Sequence, residues 1–151
     1  MLKLSKKVDY GLILLSHIGR QRIPASAREY AERSQLPPHM VANILKDLTS
    51  AGLLTSTRGA QGGYELARET SAISLADVIL ALEGPISLVE CAGEDASCRM
   101  IDNCPTQDPV QVIHRKLEEF MHGFTLDEIF SHPPAQRPFS LGELSSGGGG
   151  G

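Results

Sequence analysis

The sequence predicts a mainly α-helical fold with a small β wing, namely a winged helix-turn-helix followed by a long dimerisation helix. Three observations predict it: three helical segments at the start, a short hairpin with a glycine-rich tip, and a long amphipathic segment in the second half. The 151 residues allow one ordinary domain with an appended helix. No apolar run approaches the roughly 20 residues that span a bilayer, and the start has no signal-peptide pattern. We therefore expect a cytoplasmic protein without a membrane segment.

The three helical segments differ in how they begin. Residues 5–20 are apolar around most of the helix circumference, which predicts a buried or shared helix. Ser26 and Glu29 form a capping box that begins the second helix. Pro37 and Pro38 begin the third, since the missing N–H of proline does no harm in a first turn. The third helix has four apolar residues at helical spacing that should face the core: Val41, Ile44, Leu45 and Leu48.

A hairpin should follow the third helix. Residues 53–57 have the pattern of a strand, residues 58–63 form a glycine-rich tip, and residues 64–66 form a return strand. No helix opens directly after the glycines and no Lys-Ser/Thr pair follows them, so the tip does not match a phosphate-binding loop. The hairpin is therefore predicted to be the wing.

Two more helices are predicted after the wing. Ser74 and Asp77 cap a short one, which Gly84 and a following proline end. Asp108 as N-cap and Pro109 in the first turn begin a long one. A small winged helix offers this helix little surface, so we expect its apolar residues to pack against the same helix of a second subunit in a homodimer. These residues are Val110, Ile113, Leu117, Phe120, Met121 and Phe124.

The chain is thus expected to have four parts. Residues 1–85 form the winged helix-turn-helix and residues 86–107 a cysteine-containing loop. Residues 108–130 form the dimerisation helix and a short terminal helix capped by Thr125 and Glu128. Residues 131–151, rich in Pro, Ser and Gly, should be a disordered tail.

Charge is distributed unevenly along the chain. Residues 1–70 contain ten Lys and Arg against six Asp and Glu, whereas residues 71–151 contain four against twelve. A basic first half and an acidic second half fit a polyanion-binding module joined to a part that must not bind polyanions. Ordinary variation of solvated charge explains the same numbers, so charge alone does not decide.

The third helix and the wing carry the candidate contacts to double-stranded DNA. Asn43 can pair bidentately with adenine, His39 can reach a base or a phosphate, and Lys46 suits a phosphate. Arg58 at the wing tip can enter a minor groove or clamp the backbone. The alternative is that these residues are merely solvated. We expect no small-molecule substrate and nine DNA-contacting residues: Ser26, Arg28, Pro38, His39, Ala42, Asn43, Lys46, Arg58 and Gln61.

All three cysteines of the chain, Cys91, Cys98 and Cys104, lie close together in a polar segment. Their odd number argues against a disulfide framework. Their spacing is wider than that of the usual zinc knuckle, in which two to four residues separate two cysteines. The segment therefore predicts an iron-sulfur cluster or an unusual zinc site, and either one needs a fourth ligand.

The order of these elements, with the wing sequence 58–64 and the three-cysteine segment, resembles the Rrf2-type regulators, which include IscR, NsrR and RirA. The resemblance covers residues 1 to about 130, and residues 1–11, 36–38 and 41–46 look most like the branch that regulates SUF-type cluster assembly. It implies a homodimeric transcription factor, not an enzyme, whose three cysteines hold a 2Fe-2S or 4Fe-4S cluster in each subunit. The genes it represses would be those of SUF-type cluster assembly or of iron and redox stress.

The resemblance leaves the fourth ligand open. Where IscR-type members have a histidine, three positions after the last cysteine, this chain has Gln107. NsrR-type members use an aspartate from the first helix of the other subunit, and Asp9 falls at the matching place. Asp9 is therefore the leading candidate, although a carboxylate near a helix N-terminus is also favourable by itself. Asp108 and His114 are the alternatives. A carboxylate ligand would leave one iron easier to attack, so the site should respond to oxygen, nitric oxide or iron supply.

Two other functions stay open from the sequence. One is a redox protein or electron carrier that uses a cluster, although no flavin or nicotinamide fingerprint is present and a ferredoxin needs four cysteines. The other is a DNA-binding regulator with structural zinc or a bare thiol sensor. Visible absorption with iron and sulfide analysis separates them from a cluster-containing regulator.

Overall fold

The computed structural model of the protein describes residues 3–21, 23–88, 99 and 103–131. Within these ranges the predicted fold class is confirmed: the chain is mostly helical and has one two-stranded antiparallel sheet. No helix in the described ranges is long and apolar enough to cross a bilayer. The helices are α1 Lys6–Gly19, α2 Ala27–Ser34, α3 Pro38–Ser50, α4 Leu75–Glu83, α5 Gln107–Gly123 and α6 Leu126–Ser131, the strands are β1 Leu54–Thr57 and β2 Gly63–Leu66, and Thr70–Ala72 forms a single 3-10 turn.

Local capping sets where several helices begin. The predicted box at the start of α2 is present: the Ser26 N–H donates to Glu29 Oε2 over 2.7 Å, and the Glu29 N–H donates to Ser26 Oγ over 3.3 Å. The equivalent boxes of Ser74 with Asp77 and of Thr125 with Glu128 begin α4 and α6. Each box satisfies N–H groups that have no partner inside the helix.

The core forms around α1, which contacts α2, α3, α4 and β2. The predicted inner face of α3 is confirmed, because its four apolar residues have no exposed surface. In α1, Gly11 allows close approach of α4, since a Cβ at this position would collide with the Leu82 side chain. Burial of these apolar faces places the other side of α3 in solvent.

The wing is tied to the start of α2. In the hairpin, Leu54 pairs with Leu66 and Thr57 pairs with Gly63. The Tyr64 N–H donates to the carbonyl oxygen of Ala25 over 2.9 Å, just before α2. Gly63 makes this contact possible, since its φ is +154° and a Cβ would lie 2.5 Å from the Ala25 carbonyl carbon.

The start of α5 corrects one prediction. The helix begins at Gln107 after Thr106, so Asp108 is in the first turn and is not the N-cap. Pro109 is tolerated there because the first-turn N–H groups have no intrahelical partner. The Thr106 hydroxyl does not cap the helix either, and instead hydrogen-bonds with the Cys104 sulfur.

The apolar residues of α5 divide between two surfaces. Met121 and Phe124 pack against the core of the same chain, and His114, which the apolar pattern did not include, is the most buried residue of the helix. Ile113 and Phe120 are 58% and 63% exposed. The packing of α5 against its own domain was therefore underestimated, and only part of the predicted seam is left for a second subunit.

The end of α5 is anchored to the winged helix-turn-helix. The Leu75 N–H donates to the Phe124 carbonyl over 2.8 Å, and the Leu126 N–H donates to the Ile73 carbonyl over 2.9 Å. Thr70 Oγ1 also donates to Asp127 Oδ1 over 3.3 Å. These bonds position α5 relative to α4 from its C-terminal end.

Several predictions lie outside the described residues. Cys91 and Cys98 are among them, as is the predicted disordered tail beyond residue 131. The proposed division into parts at residues 85 and 107 also stays a prediction.

Candidate nucleic-acid interface and metal centre

The outer face of α3 is exposed and carries three polar side chains, His39, Asn43 and Lys46, beside the small residues Pro38 and Ala42. Pro38, His39, Ala42, Asn43 and Lys46 are all exposed, opposite the buried face of the helix. From His39 to Lys46 the helix rises about 10 Å. A helix with its side chains is about 10–12 Å across, so α3 fits the major groove of B-DNA, which is about 12 Å wide. No acidic residue lies on α3 between Pro38 and Lys46.

Ser26 and Arg28 lie at the start of α2. The Ser26 hydroxyl already donates to Glu29 Oε2 over 2.8 Å and accepts the Glu29 N–H. A phosphate contact from this hydroxyl would compete with the capping box. Arg28 Nε lies 3.0 Å from Glu32 Oε1, with side chains 88% and 65% exposed. Because such exposed pairs are weak, the guanidinium can exchange Glu32 for a phosphate.

The wing tip connects β1 to β2, and β2 pairs with Ala25 just before α2. Arg58 and Gln61 are exposed, and the Gly62 N–H donates to the Gly59 carbonyl over 3.0 Å to close the tip turn. The Tyr30 hydroxyl, on α2, donates to the Tyr64 carbonyl over 3.3 Å. The wing is therefore held against α2 at two points, its Ala25 pairing and this hydroxyl. Sequence reasoning did not find this link, because Tyr30 and Tyr64 are 34 residues apart.

Two of the four leading metal-ligand candidates are described. Cys104 is half-buried immediately before α5, and its sulfur lies 3.4 Å from Thr106 Oγ1. Hydrogen bonds from the Thr106 side chain and backbone lower the pKa of the Cys104 thiol. Since the thiolate is the form that binds iron or zinc, this environment fits a metal-ligand role. The involvement of Thr106 had no sequence signal beyond its proximity.

Asp9 is exposed in the first turn of α1. Its position leaves the carboxylate available to another subunit. The described residues do not form any group of three or more His, Cys, Asp or Glu that could hold a metal ion. A complete site thus requires Cys91 and Cys98, which lie outside the described ranges.

The two alternative fourth ligands differ in accessibility. Asp108 is exposed in the first turn of α5. His114 is 7% exposed, with Nε2 3.5 Å from Glu118 Oε1 and with Nδ1 lacking a hydrogen-bond partner among the described residues. Asp9 and Asp108 are therefore accessible as the chain is described, whereas His114 is enclosed.

Lys7 is a further residue that the sequence did not single out. Its ammonium nitrogen lies 2.9 Å from Asp47 Oδ2 on α3 and donates to the Leu82 carbonyl on α4 over 2.7 Å. The local sequence pattern could not predict these contacts, because Asp47 is 40 positions and Leu82 is 75 positions away from Lys7. The contact joins α3, next to its exposed face, to the end of α4.

Comparison with known proteins gives concordant results. The family model for Rrf2, described as an iron-dependent transcriptional regulator, matches residues 4–132. The transcriptional regulator CymR of Bacillus subtilis is 31% identical over 139 residues, which cover 90% of this chain and 95% of CymR.

Solved structures show the same relationship. The structure of CymR, the global cysteine regulator of B. subtilis, superposes with a TM-score of 0.69 at 32% identity and covers 89% of this chain and all of that one. The structure of IscR from T. potens gives a TM-score of 0.67 at 28% identity and covers 94% of this chain and 96% of that one.

Proposed function

Because the chain belongs to the Rrf2 family of transcriptional regulators, we propose that it is a homodimer whose DNA binding is controlled by an iron-sulfur cluster. The regulated genes in this proposal are those of SUF-type cluster assembly or of iron and redox stress, and the protein acts as their repressor in the cytoplasm. As a transcriptional regulator, it is not an enzyme, so the electron-carrier alternative is discarded. The observation that carries the proposal is Cys104, which is half-buried directly before α5, at the end of the cysteine segment, with its sulfur 3.4 Å from Thr106 Oγ1.

The DNA-binding part of the proposal uses the exposed face of α3 together with the wing. Asn43 reads a base edge, His39 and Lys46 contact a base or phosphate, and Arg58 reaches the backbone or a minor groove. Pro38, Ala42, Ser26, Arg28 and Gln61 complete the proposed contact surface. Two recognition helices of a dimer would meet half-sites about 34 Å apart, one helical turn of DNA.

The DNA contacts are tested by comparing Arg58→Ala with Arg115→Ala, which removes an exposed arginine on α5 away from the proposed surface. Arg58→Ala should weaken operator binding and, if Arg58 contacts one phosphate, reduce the slope of log affinity against log salt by about 0.9. Arg115→Ala should leave both unchanged. Fluorescence anisotropy over a salt series measures this, and an unchanged slope for Arg58→Ala would remove Arg58 from the interface.

The proposed metal centre uses Cys91, Cys98 and Cys104 of one subunit, with Asp9 supplied across the dimer. When bound, the cluster supplies iron that reacts with oxygen or nitric oxide and that responds to iron supply. Hydrogen bonds from Thr106 lower the pKa of the Cys104 thiol and so favour its thiolate form, and the Asp9 side chain is exposed on the first turn of α1. Asp108 and His114 stay the alternatives for the fourth position.

Anaerobic purification followed by visible absorption and by iron, sulfide and zinc analysis tests the metal centre. We expect a coloured protein with iron and acid-labile sulfide, and Asp9→Ala should keep its fold but lose the cluster faster in air. Equal cluster retention in the variant would transfer the role to Asp108 or His114. A colourless, zinc-loaded protein would refute the cluster.

The same thiol supports a second candidate, a regulator that senses through cysteine oxidation without a metal. The pKa of Cys104 is lowered, which favours the reactive thiolate form. A regulator similar to this chain, CymR of Staphylococcus aureus, has been solved in an oxidised form, which favours oxidation chemistry as a candidate here too. This candidate predicts a colourless protein whose operator affinity changes when peroxide is added and recovers with a thiol reductant. Cluster-free protein that is unaffected by peroxide would exclude it.

A further inference from the structure

The first turn of α1 joins α3 and α4. The Lys7 ammonium group donates to the Leu82 carbonyl, in the last turn of α4, over 2.7 Å. The same group forms an ion pair with Asp47 on α3 at 2.9 Å. One side chain therefore connects the end of α4 with the helix that carries the proposed base contacts.

Neighbouring contacts fix this turn to α4. Ser5, the N-cap of α1, donates through its hydroxyl to Glu83 Oε1 over 2.6 Å. Gly11, further along α1, packs so closely on Leu82 that a Cβ there would collide with it. The start of α1 and the end of α4 should therefore move together, since packed contacts of this kind do not deform gradually.

The two proposed parts of the sensor, the cysteine segment and Asp9, are both close in sequence to residues that form or contact the first turn of α1. In sequence, the cysteine segment follows α4 directly, with Gly84 in a positive-φ conformation between them. Asp9, the proposed ligand to the cluster of the other subunit, lies two residues after Lys7. On α3, Asp47 is adjacent in sequence to Lys46, which belongs to the exposed face that is proposed to bind DNA.

We propose that Lys7 is a positioning residue that couples the position of the α4 end to the orientation of the recognition helix α3. This inference rests on the proposed function, because it concerns how the sensing segment affects DNA binding. The Lys7 and Asp47 side chains are 39% and 38% exposed, so their ion pair contributes little to stability. Its effect is geometric: the ammonium fixes the position of the Asp47 carboxylate on α3 relative to the Leu82 carbonyl on α4, and loss of Lys7 or Asp47 removes this constraint while the two helices stay packed.

Three substitutions test the coupling. Lys7→Met removes the ammonium and keeps the aliphatic stem, Asp47→Asn removes the partner charge, and Lys7→Arg keeps both the charge and the donor groups. The control is Lys6→Met, which makes the same charge change at an exposed residue without an ion pair among the described residues. Operator affinity is measured by anisotropy for cluster-loaded and cluster-free protein, with cluster content checked by absorption.

We expect Lys7→Met and Asp47→Asn each to reduce the ratio of the two affinities at least threefold toward one. The double variant Lys7→Met with Asp47→Asn should lose no more than Lys7→Met alone, because removal of the ammonium already removes the contact with Asp47. Lys7→Arg should restore the ratio, and Lys6→Met should leave it as in the original protein. A full ratio in Lys7→Met would overturn the proposal.

A second measurement separates this proposal from the proposed function. If the unsubstituted protein binds its operator equally well with and without cluster, the sensing function fails. Hydrogen exchange of the cluster-free protein still tests Lys7: amides of α3 near Asp47 should exchange faster in Lys7→Met and not in Lys6→Met. Unchanged exchange would show that Lys7 does not hold α3, and would overturn the inference independently.

Discussion

Cys104 and Thr106 are hydrogen-bonded through their side chains, with 3.4 Å between the sulfur and the hydroxyl oxygen. Thr106 lowers the pKa of the thiol by hydrogen bonding, so Thr106→Val should raise that pKa and reduce the thiolate fraction near neutral pH. Alkylation of Cys104 in metal-free protein should then be slower at pH 7, with its rate profile displaced to higher pH.

Mass spectrometry of the Cys104 peptide after timed iodoacetamide treatment measures this displacement. Thr55→Val, on the exposed edge of β1, is the matched control and should leave the profile unchanged. Superimposable profiles for Thr106→Val and the original protein would contradict the assigned hydrogen bond.

At Ser26 the structure shows a capping role, whereas the proposed DNA contact is untested. Ser26→Ala should cost about 1 kcal/mol of stability at pH 7, and Ser26→Asn should recover most of it, because asparagine also caps. Hydrogen bonds from Ser26 hold the pKa of Glu29 below its ordinary value. Their stabilising effect is therefore present above the ordinary carboxyl pKa and is lost as the pH falls through the lowered one.

Urea unfolding over a pH series tests this capping role. The difference between Ser26→Ala and the original protein should narrow toward acidic pH. A constant difference would show that the bond from the Ser26 hydroxyl to the Glu29 carboxylate does not contribute, since the backbone N–H bond to this carboxylate stays in Ser26→Ala. A loss of DNA affinity in Ser26→Asn, which retains the cap, would show a separate contact of the hydroxyl with DNA.

Among the helices and strands, the sequence predicted those boundaries that depend on residues close together in the chain. The capping boxes of α2, α4 and α6 were found because both partners are three positions apart. The wing was found within one residue at each strand because turn-forming glycines separate its strands. The Lys7 contact and the splitting of the α5 seam were missed, since both depend on how distant elements pack.

Close packing of Gly63 on the Ala25 backbone attaches the wing to the start of α2. Gly63→Ala places a Cβ against the Ala25 backbone at a positive φ, so it should destabilise the protein by about 2 kcal/mol and loosen the wing. Operator affinity should fall as well, since Arg58 and Gln61 would lose their fixed position. Urea unfolding and anisotropy measure the two effects.

Gly123→Ala is the control for this substitution. A Cβ at Gly123 meets no atom within 4 Å, so this variant should be as stable as the original or slightly more so. If Gly63→Ala kept full stability and affinity, the pairing of β2 with Ala25 would not be what positions the wing.

For the whole molecule, the proposed homodimer requires an exposed apolar surface, and α5 offers one. The residues that pack inward, His114, Met121 and Phe124, are already used by the chain itself. Ile113 and Phe120 are seven residues apart and therefore share one exposed stripe. An apolar stripe on a long helix next to the proposed cluster segment is the surface we expect to form the dimer.

Phe120→Ala should therefore weaken the dimer. Phe120 is 63% exposed in the chain, so its burial in the interface contributes about 1.3 kcal/mol per subunit. A symmetric dimer loses two such rings, so about 2.5 kcal/mol is lost and the dimer dissociation constant should rise roughly 70-fold. The Phe120 ring stacks on Phe124 with centroids 5.9 Å apart, so some of this effect will come from the monomer. Ile23→Ala is the control, because Ile23 is 75% exposed in the α1–α2 connection and should not affect association. Analytical ultracentrifugation over a concentration series measures both variants.

The Phe120→Ala protein should also bind a two-half-site operator more weakly at low protein concentration. Its binding should recover at high concentration, since one subunit reads only one half-site. If the Phe120→Ala dimer were as tight as that of the original protein, the interface would lie on another surface. The path by which Asp9 reaches the second subunit would then change as well.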